Sequence, residues 1–127
     1  MCIRDRDGAD PTNVWNSNIK GVWHLKENPS GTAPQMKDST SNGNNGTSNG
    51  SMTSGDQVEG KIDGSLDFDG TDDYVGVSSS ASLKPTEAIT IEAWIRPNLQ
   101  GTREFVATKW LGFTMELNTS HLSLIHI

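Results

Sequence analysis

Apolar and polar side chains alternate over several short stretches in the middle of the chain. The longest stretch, residues 88–96, places Ile, Ile, Ala and Ile at every second position, which is typical of a half-buried β-strand. Residues 65–68 and 74–77 repeat the alternation on a smaller scale, and Asp, Gly and Thr fill the segment between them. Because Asp-Gly is a strong hairpin signal, we predict that residues 65–68 and 74–77 pair as a hairpin.

Other segments extend this β pattern. Residues 20–26 alternate and predict a strand, and residues 104–108 and 112–118 predict a second hairpin. Only residues 81–84 could form a single helical turn. Residues 39–55 consist almost wholly of Ser, Thr, Asn and Gly, which by itself is typical of a flexible linker. The pattern as a whole predicts an all-β protein with antiparallel strands joined by turns.

Four phrases carry a resemblance to a known fold family. In chain order they are GVWHLKE at 21–27, DSTSNGNNGT at 38–47, GSLDFDGTDDYV at 64–75 and ITIEAWIRP at 89–97. In this order they resemble the concanavalin A-like, laminin-G-like jelly-roll superfamily, in its bacterial secreted branch. The resemblance implies an antiparallel two-sheet jelly-roll sandwich over residues 20–121. It also implies that residues 39–55 form a long rim loop with a short strand near 46–49.

The resemblance suggests a wider setting for the domain. Residues 7–19 resemble the junction where an upstream domain runs into such a jelly roll, so we expect a multidomain parent protein that is secreted or displayed at the cell surface. A jelly roll needs roughly eight strands, and because fewer candidates are present we expect the domain to be incomplete at its C-terminus. MCIRDR at 1–6 and LSLIHI at 122–127 resemble translated sequencing-adapter DNA. We expect neither to belong to the natural protein, although LSLIHI could alternatively form a strand.

Composition narrows the classes of partner. The 127 residues carry a net charge of −6, whereas nucleic-acid binding needs a basic surface. No apolar run approaches the roughly 20 residues that span a bilayer. Hydrophobic residues make up 32% of the chain, below the usual range, which predicts a small core and large loops. The single cysteine, Cys2, lies in MCIRDR, so no disulfide is predicted.

Oxygen-bearing side chains recur at every second position from residue 38 to residue 44. Calcium is coordinated by several oxygen atoms from carboxylates, amides and main-chain carbonyls, and jelly rolls of the resembled family often hold a structural calcium ion at the rim. We therefore expect a calcium site with Asp38 as the first ligand and Asn42 and Asn44 as further ligands. The alternative is that these side chains only end a strand and stabilise turns.

A second group of side chains could contact a ligand directly. Tyr74 follows an acidic turn that contains Asp72 and Asp73, and Trp110 lies near a predicted strand end. An aromatic ring offers an apolar face that can stack on a sugar ring, and the carboxylates could bind sugar hydroxyls or a cation. The alternative is a solvated turn. For Trp94, core packing is the expected role, although an exposed binding face would also fit.

Together these features favour a non-catalytic extracellular module that binds carbohydrate through its rim loops, assisted by calcium. One alternative is a truncated glycoside hydrolase of the same superfold, which would need two carboxylates about 5–9 Å apart. Glu92 is the acidic residue on the predicted strand at 88–96. The other alternative is a structural spacer in a large adhesin, which would need neither a carboxylate pair nor exposed aromatic residues beside polar loops.

Overall fold

The computed structural model describes residues 14–61, 63–97, 104–109, 112–117 and 122–126, the last of these as backbone only. These residues contain short strands and no helix longer than one 3₁₀ turn, so the described protein is all-β, as predicted. The chain divides into two compact units, Met1–Ile89 and Thr90–Ile127. The strands are β1 (Gly46–Asn49), β2 (Gln57–Val58), β3 (Ser65–Leu66), β4 (Tyr74–Val77), β5 (Glu104–Lys109), β6 (Phe113–Leu117) and β7 (Leu122–His126).

In the first unit, β1 and β4 form an antiparallel ribbon. Gly46 pairs with Val77 at one end of the ribbon and Asn49 pairs with Tyr74 at the other. Met36 and Gly46 exchange two main-chain hydrogen bonds, of 2.9 and 2.7 Å, and the Met36 side chain is completely buried. The segment at Met36 therefore lies beside β1 at the edge of the ribbon. Its buried side chain contributes to the core of this unit.

A smaller ribbon in the same unit pairs β2 with β3. The side chain of Leu66 in β3 is buried. The 3₁₀ helix Ser54–Asp56 leads into this ribbon and begins at a capping box. Thr53 Oγ1 accepts a hydrogen bond from the Gly55 N–H, and the Asp56 carboxylate accepts one from the Thr53 N–H. Such reciprocal bonds satisfy main-chain donors that a helix start leaves unpaired.

The second unit holds a three-stranded antiparallel sheet in the order β5-β6-β7. The pairing of β5 with β6 shifts register between Phe105 and Ala107, and Met115 and Glu116 of β6 are buried. This pairing confirms the predicted hairpin at 104–108 and 112–118. The short strand near 46–49 and the single turn at 81–84 are also confirmed, as β1 and the 3₁₀ helix Ala81–Leu83.

The predicted hairpin between residues 65–68 and 74–77 is wrong, because β3 pairs with β2 and β4 pairs with β1. The Asp-Gly turn itself does form, and Gly70 adopts a positive φ of 73°. Glycine tolerates that conformation because it has no Cβ. The Asp-Gly signal therefore predicted the local bend correctly, but it did not predict which strands pair.

The prediction of a strand at 88–96 is also wrong. No strand occurs over residues 88–97, and the side chain of Trp94 is 81% exposed rather than packed in a core. Strand backbone needs a neighbour that supplies hydrogen bonds, and no ladder among the described residues includes this segment. Residues 20–26 likewise form only one isolated bridge, between Trp23 and Asp38.

Candidate functional site

The Asp38 carboxylate ties together two separate parts of the first unit. It accepts hydrogen bonds from the main-chain N–H groups of Val22 at 3.0 Å, Thr40 at 2.9 Å and Asn44 at 2.8 Å. The Thr40 hydroxyl donates a fourth, at 2.9 Å. Asp38 is only 9% exposed. This carboxylate therefore fixes the loop at 39–45 against the segment at Val22, and we call the arrangement the Asp38 clamp.

The clamp changes the ionisation of its carboxyl group. Burial raises the pKa of Asp38, but the main-chain N–H donors and the Thr40 hydroxyl outweigh burial. The pKa of Asp38 therefore lies below its ordinary value. Hydrogen bonds to the charged form favour that form, so the carboxylate stays ionised while it holds the loop.

The Asn44 side chain continues the network beyond the loop. The Asn44 amide donates to the Lys20 carbonyl at 2.8 Å and to the Ser82 hydroxyl at 2.9 Å, and its oxygen accepts from the Ser80 hydroxyl at 2.7 Å. The Trp23 indole N–H donates to the Asn44 main-chain carbonyl at 2.7 Å. The loop is therefore joined to the 3₁₀ helix Ala81–Leu83 as well as to the chain around Lys20.

The three predicted calcium ligands do lie together, but their arrangement does not fit a calcium ion. Both oxygens of Asp38 accept from N–H and O–H donors, which occupy the lone pairs that a cation needs. Asn42 and Asn44 each point an NH₂ group at the Lys20 carbonyl. The geometry instead matches the alternative in which these side chains stabilise turns.

A polar cleft of about 520 Å³ opens beside the clamped loop. Amide and hydroxyl side chains from the loop at 39–45, from β1 and from the segment after β4 supply most of its lining, and none of its described lining residues carries a titratable side chain. Ser78 and Ser79 are exposed there and have no hydrogen-bond partner among the described residues. The lining residues are Ala33, Pro34, Asn42, Gly43, Asn44, Asn45, Thr47, Ser78, Ser79 and Ser80.

The acidic turn before β4 brings three carboxylates close together. One oxygen from each of Asp69, Asp72 and Asp73 lies within 4.8 Å of the other two. Hydrogen bonds within the turn already use some of these oxygens, because Asp69 accepts from the Thr71 N–H at 2.7 Å and Asp73 accepts from the Asp69 N–H at 3.2 Å. The Thr71 N–H, despite an opposing effect of burial, lowers the pKa of Asp69.

Tyr74 lies directly after this turn, as expected, and is 57% exposed. Its ring lies over Gly76, two residues further along β4, since a Cβ at Gly76 would lie 3.6 Å from a ring carbon of Tyr74. Tyr74 and Asn49 form the last pair of the β1–β4 ribbon, whereas Gly46 and Val77 at the other end adjoin the cleft. The acidic turn and most of the cleft lining therefore stand at opposite ends of one ribbon, whereas the ring of Tyr74 lies over Gly76, the partner of the cleft residue Thr47.

The remaining predicted site residue, Trp110, lies outside the described residues. Conversely, the cleft includes a group that the sequence pattern does not single out, the serines at 78–80. Their only signal in the sequence is a run of small hydroxyl side chains directly after an apolar strand, and such runs are common in ordinary loops.

Comparison of the chain with protein-family models, with curated proteins and with solved structures found no match. Among the described residues, no helix has the length and apolar character needed to cross a membrane.

Proposed function

We propose that this chain is a non-catalytic recognition module that binds a neutral carbohydrate in the polar cleft. The observation that carries the proposal is the lining of the cleft, in which amide and hydroxyl groups predominate and no described residue is titratable. Sugar hydroxyls both donate and accept hydrogen bonds, as do these groups. General acid–base catalysis needs a titratable side chain within reach of the substrate, so the lining favours binding over hydrolysis.

The fixed position of the cleft wall also supports binding. Asn44 makes hydrogen bonds to Lys20, Ser80 and Ser82, and its main-chain N–H is held by Asp38. A wall that is ordered before the ligand arrives does not lose that conformational freedom on binding. Ser78 and Ser79 remain available for ligand because no described residue bonds to their hydroxyl groups.

The wider assignment rests on the four phrases that resemble laminin-G-like jelly rolls. The finer parts of the proposal are a jelly-roll sandwich, a bacterial secreted or cell-surface location and a multidomain parent protein. The all-β character and the strand at Gly46–Asn49 are consistent with the sandwich. The resemblance also implies a structural calcium ion, which would have to bind away from Asp38, because hydrogen-bond donors take both oxygens of that carboxylate.

A glycan array tests the proposal with the 127-residue chain. Ser79→Tyr would fill the cleft without removing any hydrogen bond of the described network, and Ser51→Tyr adds the same ring at an exposed serine outside the cleft. We expect the unchanged chain and Ser51→Tyr to bind the same glycans, and Ser79→Tyr to bind at least about tenfold more weakly, a loss of roughly 1.4 kcal/mol.

Each other outcome points to a different function. Binding to no glycan would reject the proposal and favour a structural spacer. Release of shorter sugars from a bound glycan would favour the hydrolase. A parallel array with a chelator tests calcium, because loss of binding in the chelator alone would show that an ion contributes. Equal binding by Ser79→Tyr and Ser51→Tyr would place the ligand elsewhere, with the exposed ring of Tyr74 as the next candidate.

A further inference from the structure

Three Asn-Gly dipeptides lie within nine residues of sequence, in the loop that lines the cleft and along β1, at 42–43, 45–46 and 49–50. In such a pair the main-chain nitrogen of glycine can attack the side-chain amide carbon of the preceding asparagine. Glycine favours the attack because it has no Cβ to obstruct the approach and its backbone is conformationally permissive. The sequence alone makes the three pairs equivalent, but their surroundings differ.

Two of the pairs are held in place. The N–H of Gly46 donates to the Met36 carbonyl at 2.7 Å, and the Asn45 side-chain oxygen accepts from the Asp38 N–H at 3.0 Å. Asn49 belongs to β1, and its side chain donates to the Thr47 carbonyl at 2.8 Å. In the first pair these bonds engage both the glycine nitrogen and the asparagine side chain, and in the second pair a bond of 2.8 Å holds the asparagine amide along β1.

The pair Asn42-Gly43 is much less restrained. Asn42 and Gly43 are both exposed, and the Gly43 N–H has no hydrogen-bond partner among the described residues. Nothing lies within 4 Å of the position that a Cβ on Gly43 would occupy, and Gly43 has a φ of 65°. The Asn42 amide makes only long hydrogen bonds, at 3.3 Å to the carbonyls of Ile19 and Lys20 and 3.2 Å to Thr40 Oγ1.

We propose that Asn42 is a site of spontaneous deamidation, and that it reacts ahead of Asn45 and Asn49. The Gly43 nitrogen loses its proton and bonds to Cγ of Asn42, the bond from Cγ to the side-chain nitrogen breaks, and ammonia leaves. The product is a five-membered succinimide. Water then opens the ring at either carbonyl, which gives aspartate or isoaspartate at position 42.

Deamidation would remove the amide donor that contacts Ile19 and Lys20. A carboxylate in its place would face those two carbonyl oxygens and repel them. It would also add a negative charge to the wall of a cleft whose described lining is uncharged. If the cleft binds a neutral carbohydrate, as proposed above, the modified chain should bind it more weakly. The reaction itself does not depend on that function.

Peptide mapping of the full chain tests the proposal. Cleavage after Lys37 and Lys61 releases one peptide, residues 38–61, that contains all three pairs. After incubation at mildly alkaline pH, fragmentation in a mass spectrometer locates the small mass gain that marks replacement of an amide by an acid. We expect position 42 to be modified at least severalfold faster than 45 and 49, and isoaspartate methyltransferase to label the same peptide.

A denatured sample provides the matched comparison, because all three pairs lose their surroundings there. Equal rates in the native chain, or faster reaction at Asn45 or Asn49, would overturn the proposal. An unmodified Asn42 in the native chain, over a period in which the denatured chain reacts at all three positions, would overturn it as well. Asn42→Gln keeps an amide but disfavours the five-membered ring, so we expect it to abolish modification at 42 and leave the other two rates unchanged.

These experiments can reject the deamidation proposal and the ligand-binding proposal independently. The mapping result stands whether or not any glycan binds. If glycans do bind, we expect Asn42→Asp to weaken binding severalfold relative to Asn42→Gln. Equal affinity of the two variants would reject the effect on the cleft, without bearing on the chemistry at position 42.

Discussion

Asp38 shows how a single carboxylate can organise a loop that has almost no apolar side chains. Residues 39–45 supply little hydrophobic area, so hydrogen bonds to a buried ion must hold them. The sequence pattern identified Asp38, Asn42 and Asn44 as a group with shared chemistry, and the structure brings them together. It could not tell a metal site from a hydrogen-bonded turn, because both use the same oxygen atoms and differ only in whether donors or a cation occupy them.

Replacing Asp38 by asparagine should therefore destabilise the chain. The new NH₂ group would face N–H donors that now contact a carboxylate oxygen, and hydrogen bonds to charged groups contribute about 1.5–3 kcal/mol each. We expect the free energy of unfolding in urea to fall by roughly 2–4 kcal/mol. Asp67→Asn, at an exposed aspartate, is the control and should change it little. Equal effects of the two variants would contradict the clamp.

The clamp also predicts how stability depends on pH. The pKa of Asp38 is lower in the folded chain than its ordinary value, so the unfolded chain takes up the proton first as pH falls. The stabilisation from Asp38 is therefore complete above the ordinary aspartate pKa and is lost as pH falls through the lower, folded value. Thermal unfolding across the acid range should show a steeper loss for the unchanged chain than for Asp38→Asn. Parallel curves would argue against this.

At the scale of elements, the pairing of β1 with β4 depends on close approach at a glycine. A Cβ on Gly46 would lie 2.6 Å from Cγ1 of Val75 and 3.4 Å from Cβ of Met36. Alternation and turn residues predicted β4 as a strand and the β5–β6 hairpin, whereas β1 was predicted only from the family resemblance. They failed for the pairing of β3 and β4 and for residues 88–96, because a pattern of alternation specifies the face of a strand and not its neighbour.

Gly46→Ala should weaken the β1–β4 ribbon. The added methyl group would overlap Val75 beside the completely buried Met36, and such overpacking typically costs about 1–3 kcal/mol. Gly76→Ala is the matched control within the same ribbon, because its Cβ would lie 3.3 Å or more from flexible side-chain atoms of Asn49 and Tyr74. We expect urea unfolding to show a clear loss for the first variant and little change for the second.

At the scale of the whole molecule, the first unit carries two ligand-capable regions rather than one. The acidic turn with Tyr74 stands at one end of the β1–β4 ribbon and the uncharged cleft at the other. Three residue steps along β4, about 10 Å, separate Tyr74 from Val77. The ring of Tyr74 covers part of this distance, because it lies over Gly76, the partner of Thr47 in the cleft lining. The acidic turn and the uncharged cleft are therefore separate on this ribbon, and the exposed ring of Tyr74 lies between them.

This separation predicts additive behaviour. If a glycan binds in the cleft, Asp72→Asn in the acidic turn and Ser79→Tyr in the cleft should change its binding free energy independently, within about 0.3–0.5 kcal/mol, as is usual for distant sites. Titration of the single variants and the double variant with the same glycan measures the coupling. A coupling energy well above that range would mean that one ligand contacts both ends of the ribbon.

The position of Trp23 should make its fluorescence sensitive to the conformation of the loop at 39–45. Its indole N–H bonds to the Asn44 carbonyl, and its ring lies so close over Gly21 that a Cβ there would overlap it at 2.1 Å. Indole emission responds to changes in polarity and hydrogen bonding around the ring. In a chain whose other tryptophans are replaced by phenylalanine, the wavelength and intensity of the fluorescence should therefore change when the hydrogen bond between Trp23 and the loop breaks.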